Sequence, residues 1–425
     1  MKRFINIMIS VVCLCTYTAI AFGELRVSNQ VPEQAVAINI NNTKDVNCSS
    51  YLSYLEKNAK PPIEYVLEKF NDHDLVIVGE IHHVQQNLGL LQRLIPRLYK
   101  EAGVRFLGYE FFASSCQKDI DKLVNGEEYD TALVEHIIRE SAIRSGVIWP
   151  YQEYVDTFKT VWELNKSIAE KSDRFRIVFM HFDNNWHDFH YGNEEQKKAA
   201  MLNFMEADKL YAEPIINEYE KNQHKGLIWC GTTHAVTRLK GNGRNRPEKR
   251  AGGYLYQRYG SKVFQIMLHD FWYYRERGED YPLNGLLDKV LNAFDKPIGF
   301  DIAGSPFANI KLPKDFMWAI DNPDATFERY CDGYIWLVSL EKFKGNQVMD
   351  IAEVVPNEEV FQKISRNAHS KSVQKMKSRQ EYLAAWKETE DEFRQFQQTF
   401  MPFLSAQPKL NIPDNYKLIE EQESP

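Results

Sequence analysis

The chain has 425 residues, of which 44% are hydrophobic and 26% are charged, and its formal net charge is −7. These ordinary globular values exclude a wholly disordered chain and a multi-span membrane protein. The mild negative charge argues against nucleic-acid binding, which usually leaves a basic surface.

The first 21 residues have the three parts of a secretory signal peptide. Lys2 and Arg3 are positively charged, an apolar stretch follows over residues 5–19, and Ala19-Ile20-Ala21 is a small-x-small cleavage site. An uncleaved signal-anchor helix is the alternative, although the apolar run is short for a membrane span. We therefore expect an exported protein, periplasmic or secreted, that begins near Phe22 and keeps no stable membrane span after cleavage.

Cleavage leaves four cysteines, which are Cys48, Cys116, Cys230 and Cys331. An oxidising compartment allows three pairings of four cysteines, and their spacing does not choose among them. Cys230 lies in a strongly apolar segment, where a free buried thiol is the favoured interpretation. Since none of the four has CxxC spacing, a cysteine-based zinc site is not expected.

Residues 22–60 are polar and are predicted to be a leader, after which strands and helices alternate. Short continuous apolar runs predict strands that are covered on both faces, and apolar residues at helical spacing predict the intervening helices. This alternation implies right-handed crossovers and a largely parallel sheet. The predicted strands are 75–78, 104–108, 176–180, 226–230, 263–268 and 334–338, and the predicted helical stretches are 84–98, 117–171 and 194–222.

The predicted fold class is α/β, with a largely parallel sheet flanked by helices. A helical insertion follows the second strand, and a helical extension follows the sheet. The expected organisation is a signal peptide over 1–21, a leader over 22–60, an α/β domain over 61–345, and a charged helical C-terminal extension with a loose tail over 346–425.

Polar side chains follow four of the predicted strands, at the point where each strand ends. Because the carboxyl ends of parallel strands meet at one edge of a sheet, ligands of open α/β folds bind there. Imidazole and carboxylate groups at such an edge suit general acid–base chemistry or a divalent cation. The sequence therefore predicts one shared active or binding site. The strand-end residues are Gly79, Glu80, His82 and His83, then Tyr109 and Glu110, then His181 and Asp183, and finally Gly231 and His234.

The expected catalytic residues are His82, Glu80, Glu110 and His234. Glu80 and His82 are two positions apart in an extended segment, so both side chains project to one side and the carboxylate can orient the imidazole. If a metal is bound, its expected ligands are His82, Glu110, His234 and Asp183. The alternatives are hydrogen-bonded loop histidines, a helix-capping Glu80 and a turn or N-cap role for Asp183.

Three motifs resemble those of the superfamily that joins ChaN-like haem-uptake proteins, erythromycin esterases and the TraB/Tiki proteins. They are Gly79-Glu80-Ile81-His82, Leu107-Gly108-Tyr109-Glu110 and residues 229–234, which read Trp-Cys-Gly-Thr-Thr-His. The resemblance spans about residues 70–340 and implies an α/β fold with histidines and glutamates gathered in one cleft.

The resemblance implies a different activity for each branch of the superfamily. The esterase branch hydrolyses a macrolactone, with the equivalents of His82, Glu110 and His234 around an activated water. The Tiki branch is a metal-dependent protease, and the ChaN branch binds haem. This chain departs from all three in the long basic segment after His234, over residues 235–250.

These features together predict an exported hydrolase that acts on an ester or peptide bond of a small-molecule or peptide substrate. The sequence does not choose among three possibilities for the cofactor, which are no cofactor, a divalent metal such as Mn, Co or Zn, and haem. The alternative function is a haem-binding or iron-binding uptake protein of the ChaN-like type. A catalytically silent interaction domain that acts through the charged C-terminal helix is the third hypothesis.

Overall fold

The protein is described here by a computed structural model that covers residues 48–241, 249–276, 278–294 and 296–389. The predicted signal peptide, most of the predicted leader and the end of the predicted tail lie outside these residues. The strands of the described residues are β1 (Leu75–Glu80), β2 (Val104–Ala113), β3 (Arg176–His181), β4 (Lys225–Gly231), β5 (Val263–Leu268), β6 (Trp272–Tyr274), β7 (Gly278–Asp280), β8 (Ile298–Asp301) and β9 (Gly333–Trp336).

Helices lie before, between and after these strands. In chain order they are α1 (Ser49–Asn58), α2 (Pro62–Lys69), α3 (Gln85–Arg97), α4 (Gln117–Val124), α5 (Thr131–Ser145), α6 (Gln152–Lys166), α7 (Trp186–Tyr191), α8 (Glu194–Met205), α9 (Ala207–Asn222), α10 (Thr232–Ala235), α11 (Ala251–Tyr259), α12 (Leu286–Asn292), α13 (Phe327–Tyr330), α14 (Ile351–Val354), α15 (Glu358–Arg366) and α16 (Lys371–Gln374). A further helix covers residues 379–389.

Seven of the strands form one sheet in the order β3-β2-β4-β1-β5-β9-β8. All neighbours in it are parallel except β8, which pairs antiparallel with β9. β1 is central, and its six residues are buried because helices cover both faces. The register pairs Glu80 with Gly231 and Tyr109 with Trp229, so the ends of β1, β2 and β4 lie together at one edge.

The structure confirms the predicted α/β class and the helical insertion between β2 and β3. The insertion is three helices rather than one continuous stretch. α5 begins at an N-cap, where the Asp130 carboxylate accepts a hydrogen bond from Leu133 N–H, and it ends at Gly146 in a left-handed conformation (φ 78°). Pro150 precedes α6 and disfavours a helical conformation at the residue before it. β8 is a strand that the sequence pattern did not predict.

The first described residues pack against the domain although they belong to the predicted leader. Leu52 and Leu55 of α1 are buried, and the Tyr54 hydroxyl donates to the backbone carbonyl of Asp301 at 3.0 Å. The described cysteines, Cys48, Cys116, Cys230 and Cys331, are all buried, and Cys230 is a free thiol, as predicted. No helix in the described ranges is both long enough and apolar enough to cross a membrane.

The described part of the C-terminal extension packs on the insertion. The Asn367 amide, directly after α15, donates to the carbonyls of Ile143 and Asn184, each at 2.9 Å. The side-chain oxygen of Asn367 accepts a hydrogen bond from the backbone N–H of Trp186 at 2.8 Å. One side chain thus ties the extension to the end of α5 and the start of α7.

Candidate active site

The carboxylate of Glu80 lies fully buried at the end of β1. Its Oε1 accepts a hydrogen bond from the Tyr154 hydroxyl at 2.6 Å, and its Oε2 accepts one from Trp229 Nε1 at 2.8 Å. Burial, followed by the Glu80 charge, raises the pKa of Tyr154 well above its usual value, so this hydroxyl remains a donor. Glu80 is therefore held by side chains from α6 and β4, and it does not cap the following helix.

His82 lies against Glu80, with its Nδ1 at 3.2 Å from Glu80 Oε1. The ring makes edge contacts with Phe111, at 5.4 Å between centroids, and with Trp149, at 5.1 Å. In the tautomer that carries its proton on Nδ1, this proton is directed to the Glu80 carboxylate. The lone pair then lies on Nε2, where it can accept a proton. The predicted orienting role of Glu80 is thus geometrically available.

The turn after β1 has a strained backbone at His83, whose φ is 68°. Residues other than glycine rarely adopt this left-handed conformation, and such strain concentrates at functional sites. The His83 ring stacks on Trp149 at 5.3 Å between centroids, and the backbone N–H of His83 donates to the Tyr154 hydroxyl at 3.2 Å. These contacts hold the turn in the conformation that presents His82.

Gly79 is required for packing rather than as a turning point. It lies inside β1, and a Cβ at this position would come within 2.6 Å of Met267 Sδ and 2.9 Å of Ala235 Cβ. The missing side chain lets α10, which carries His234, approach β1 closely. The glycine therefore sets the distance between the two histidine segments.

His234 lies between two carboxylates. Its Nδ1 is 2.7 Å from Asp208 Oδ1, and its Nε2 is 3.6 Å from Glu110 Oε1. Burial alone would lower the pKa of His234, but Glu110 and Asp208 outweigh it and raise the pKa above the usual value. The two carboxylates thus favour the imidazolium form of His234.

The Asp208 carboxylate joins His234 to Arg250. Its Oδ2 accepts from the Arg250 guanidinium at 2.9 Å, and its Oδ1 also accepts from Ala251 N–H at 3.0 Å. Burial opposes the charge of Asp208, yet His234 and Arg250 lower its pKa to about 2. Asp208 is therefore ionised and fixes His234 from the side away from Glu110.

Glu110 connects the two histidine segments. Its Oε2 accepts from the backbone N–H of Gly231 at 2.5 Å. Burial would raise the pKa of Glu110, but the fields of His234 and His82, the Gly231 hydrogen bond and His181 together lower it. Because both His82 and His234 act on this carboxylate, the structure brings Glu80, His82, Glu110 and His234 into one buried cluster.

A small cavity opens beside this cluster at the carboxyl edge of the sheet. Its volume is about 50 Å³, and Glu80, His82 and Thr232 are among its lining residues. A water molecule needs roughly 10–15 Å³ of such space, so several waters fit. Two imidazoles held by carboxylates and space for water are the parts that general acid–base hydrolysis requires.

Asp183 lies apart from the cluster. Its carboxylate accepts a hydrogen bond from Ser115 Oγ at 2.8 Å and is 4.0 Å from an Arg144 nitrogen, with its side chain 43% exposed. Within the described ranges, its contacts do not include His82, Glu110 or His234. The chain turns outward after β3, so Asp183 faces the surface while His181 stays buried.

The predicted metal set does not fit a metal ion in this arrangement. Within the described residues, no group of three or more His, Cys, Asp or Glu side chains is placed to hold one. Both nitrogens of His234 already face carboxylates, and Asp183 is on the surface. The cavity is also far smaller than the ~300–1,000 Å³ of typical small-molecule sites and does not fit a haem.

The structure adds residues that the sequence analysis missed. Asp208 and Arg250 support His234, and Tyr154 and Trp229 support Glu80, but none of them follows a strand directly. Asp270 had a usable signal, because it lies two residues after the end of β5, as His82 lies two residues after the end of β1.

The basic segment after His234 contributes structural ion pairs where it is described. Arg250 binds Asp208, and an Arg238 nitrogen lies 2.7 Å from an Asp332 oxygen. The composition of this segment favours a solvated loop, with steering of an anionic substrate as the alternative, and Arg244 and Arg246 lie outside the described residues.

Comparison with known proteins identifies similarities of fold. No protein-family model matches the chain, and no curated protein matches its sequence. A solved succinoglycan biosynthesis protein is 10% identical, with 71% of this chain and 99% of that chain covered and a TM-score of 0.51. A protein from Bacillus cereus is 13% identical, over 72% of this chain and 100% of that chain, with a TM-score of 0.48. A mutant of an erythromycin esterase in its open conformation is 10% identical, with 68% of this chain and 95% of that chain covered and a TM-score of 0.48.

Proposed function

We propose that the chain is an exported hydrolase that cleaves an ester or peptide bond with a water activated at Glu80 and His82. The observation that carries this proposal is the burial of two histidine–carboxylate pairs in one cluster at the carboxyl edge of the sheet, where Glu80 and His82 line a small cavity. The three motifs that resemble the erythromycin esterase, TraB/Tiki and ChaN-like superfamily contain the same side chains, which supports the same proposal.

His82 is the proposed general base. With its Nδ1 proton directed to Glu80, the Nε2 lone pair accepts a proton from water. The resulting hydroxide adds to the carbonyl carbon of the substrate. The tetrahedral intermediate then collapses, and the bond from carbon to the leaving oxygen or nitrogen breaks.

His234 is the proposed acid. As an imidazolium flanked by Asp208 and Glu110, it can stabilise the negative charge on the intermediate or give a proton to the leaving group. One histidine that takes a proton from water and one that gives a proton would supply both halves of the reaction. No step is assigned to a metal ion, because the predicted ligands do not fit one.

A hydrolysis screen tests this proposal. We expect the purified wild type to cleave a member of an ester or peptide library, assayed without metal and with Mn, Co or Zn. Glu110→Gln keeps the size of the side chain but removes the charge that favours protonated His234, so the rate should fall by about 10²–10⁴. Glu101→Gln, which removes an exposed carboxylate paired with Arg97, is the matched control.

If the wild type cleaves no member of the library, the proposed hydrolase activity is contradicted. If the wild type also showed a haem Soret band that His82→Ala abolished, the haem-binding alternative would replace the hydrolase.

Export is part of the proposal and has its own test. We expect the mature chain to start near Phe22 and to be found outside the cytoplasm, because the first 21 residues have a charged, an apolar and a cleavage region. N-terminal sequencing of the natively expressed protein measures this directly. A mature chain that retains residues from before Val12 would contradict it.

A further inference from the structure

Two further carboxylates line the cavity beside Glu80 and His82. Asp270 follows β5 and is 4% exposed, and Glu279 lies on β7. Neither carboxylate makes a hydrogen bond or an ion pair with another residue in the described ranges. Asp270 is buried and Glu279 is partly buried, and carboxylates withdrawn from water ordinarily have a partner, so this pair calls for an explanation.

The groups near these two carboxylates do not compensate their negative charge. Burial, Glu279 and Asp288 raise the pKa of Asp270 well above its usual range, and burial raises the pKa of Glu279 to about 7. Asp288 already has a partner, His269, whose Nε2 is 3.0 Å from its Oδ1. Among the described residues, no cation is therefore placed to neutralise Asp270.

Aromatic side chains form much of the remaining wall. Trp272, Tyr273 and Trp318 line the cavity, and Trp272 stacks on Phe316 at 4.1 Å between ring centroids. The Arg250 guanidinium already lies 5.3 Å from the Trp318 ring, so Trp272 and Tyr273 are the faces left for a ligand. Aromatic faces attract cations, most strongly when water is excluded. Carboxylates add charge-assisted hydrogen bonds to ammonium donors.

Size and charge together limit the ligand. A cavity of about 50 Å³ holds a group the size of a few waters. An anion would be repelled by the two carboxylates, and a neutral apolar group would leave both without a partner. A small cationic head group satisfies the carboxylates and the aromatic wall at once.

We infer that this cavity binds an ammonium group, so that the substrate carries an amine close to the bond that is cleaved. The amine is placed close to the cleaved bond because Glu80 and His82 line the same cavity as Asp270 and Glu279. The inference about the substrate rests on the proposed hydrolase function, whereas the ammonium site is independent of that function.

Ethylammonium chloride is the probe, and ethanol is a neutral control of similar size. Binding is measured by ligand-observed NMR titration of the full mature chain at pH 8 in an amine-free phosphate buffer. At this pH an alkylamine stays protonated, since amines of this type titrate near ~10.4. We expect ethylammonium to bind more tightly than ethanol.

Two variants and a control locate the site. Asp270→Asn and Glu279→Gln keep the size of each side chain, and each should weaken ethylammonium binding about 10- to 100-fold, the effect of a hydrogen bond to a charged group. Asp324→Asn removes a charge from an exposed carboxylate near Lys311 and should bind like the wild type. A merely structural Asp270 would lower the melting temperature when replaced, whereas removal of an unpaired buried carboxylate should leave it equal or higher.

The outcomes separate this inference from the hydrolase proposal. Equal binding of ethylammonium and ethanol, or unchanged ethylammonium affinity in both Asp270→Asn and Glu279→Gln, would overturn the ammonium site. Ethylammonium binding without any hydrolysis would keep the site and reject the hydrolase. If both hold, an aryl ester with a terminal ammonium on its acyl chain should be cleaved faster than its methyl analogue, and Glu279→Gln should remove that preference.

Discussion

Replacing His82 with alanine is expected to lower the hydrolysis rate by about 10²–10⁴, the usual contribution of a positioned general base. The loss should appear in kcat, because the base acts on the water rather than on substrate binding. Added imidazole should restore part of the rate, since His82→Ala leaves a space next to Glu80, Phe111 and Trp149. Steady-state kinetics with and without imidazole measure both effects.

The control for this variant is another buried histidine. His369→Ala removes a ring that packs on Trp186 at 4.1 Å and lies outside the cluster, so it should keep the wild-type rate. Circular dichroism should show that both variants fold, because His82 follows β1 in a turn and makes no contribution to the sheet. A His82→Ala enzyme with full activity would remove His82 from the mechanism.

Asp208→Asn is expected to cause the largest loss of stability. The substitution leaves the guanidinium of Arg250, which is 3% exposed, without its ionic partner and also removes the carboxylate that holds His234. Removing one partner of a buried ion pair typically costs about 3–5 kcal/mol. Urea unfolding at neutral pH, compared with Asp324→Asn as an exposed control, measures this difference in the free energy of unfolding.

A double variant shows whether the loss comes from the unpaired cation. Asp208→Asn with Arg250→Met removes both charges and should recover part of the stability, because an apolar side chain can replace a buried ion pair at little cost. Arg250 lies over the Trp318 ring at 5.3 Å, where a methionine can pack. A loss below about 1 kcal/mol in the single variant would mean that Asp208 is not a buried ionic partner.

The effect of Asp208→Asn should also depend on pH, with a definite sign. The pKa of Asp208 is depressed to about 2, so its contribution is full above the unfolded value and is lost as pH falls towards 2. The pKa of His234 is raised from 6.5, so its contribution is full below that value and is lost as pH rises through the folded pKa. The difference between wild type and variant should therefore be largest between about pH 4 and 6.5 and narrow at higher pH.

Local chemistry was enough to place six of the seven strands of the sheet and the nearest parts of the cluster. Strands buried on both faces need apolar runs, so residues 75–78, and residues 263–268 with a single interruption at Gln265, could be assigned without any knowledge of their neighbours. Glu80 and His82 are two residues apart after β1, and their contact follows from the geometry of an extended chain. Parallel strands also bring Glu110 and His234 to the same edge.

The tertiary structure decided which side chains support these groups and which do not join them. Asp208 lies in the first turn of α9, where a carboxylate ordinarily favours the helix dipole, and only the packing of that turn against α10 makes it the partner of His234. Asp183 follows its strand as the other site residues do, but the chain turns outward there and exposes it. The sequence pattern marks where strands end. The direction of the chain beyond each end depends on long-range packing, which no local pattern of residues contains.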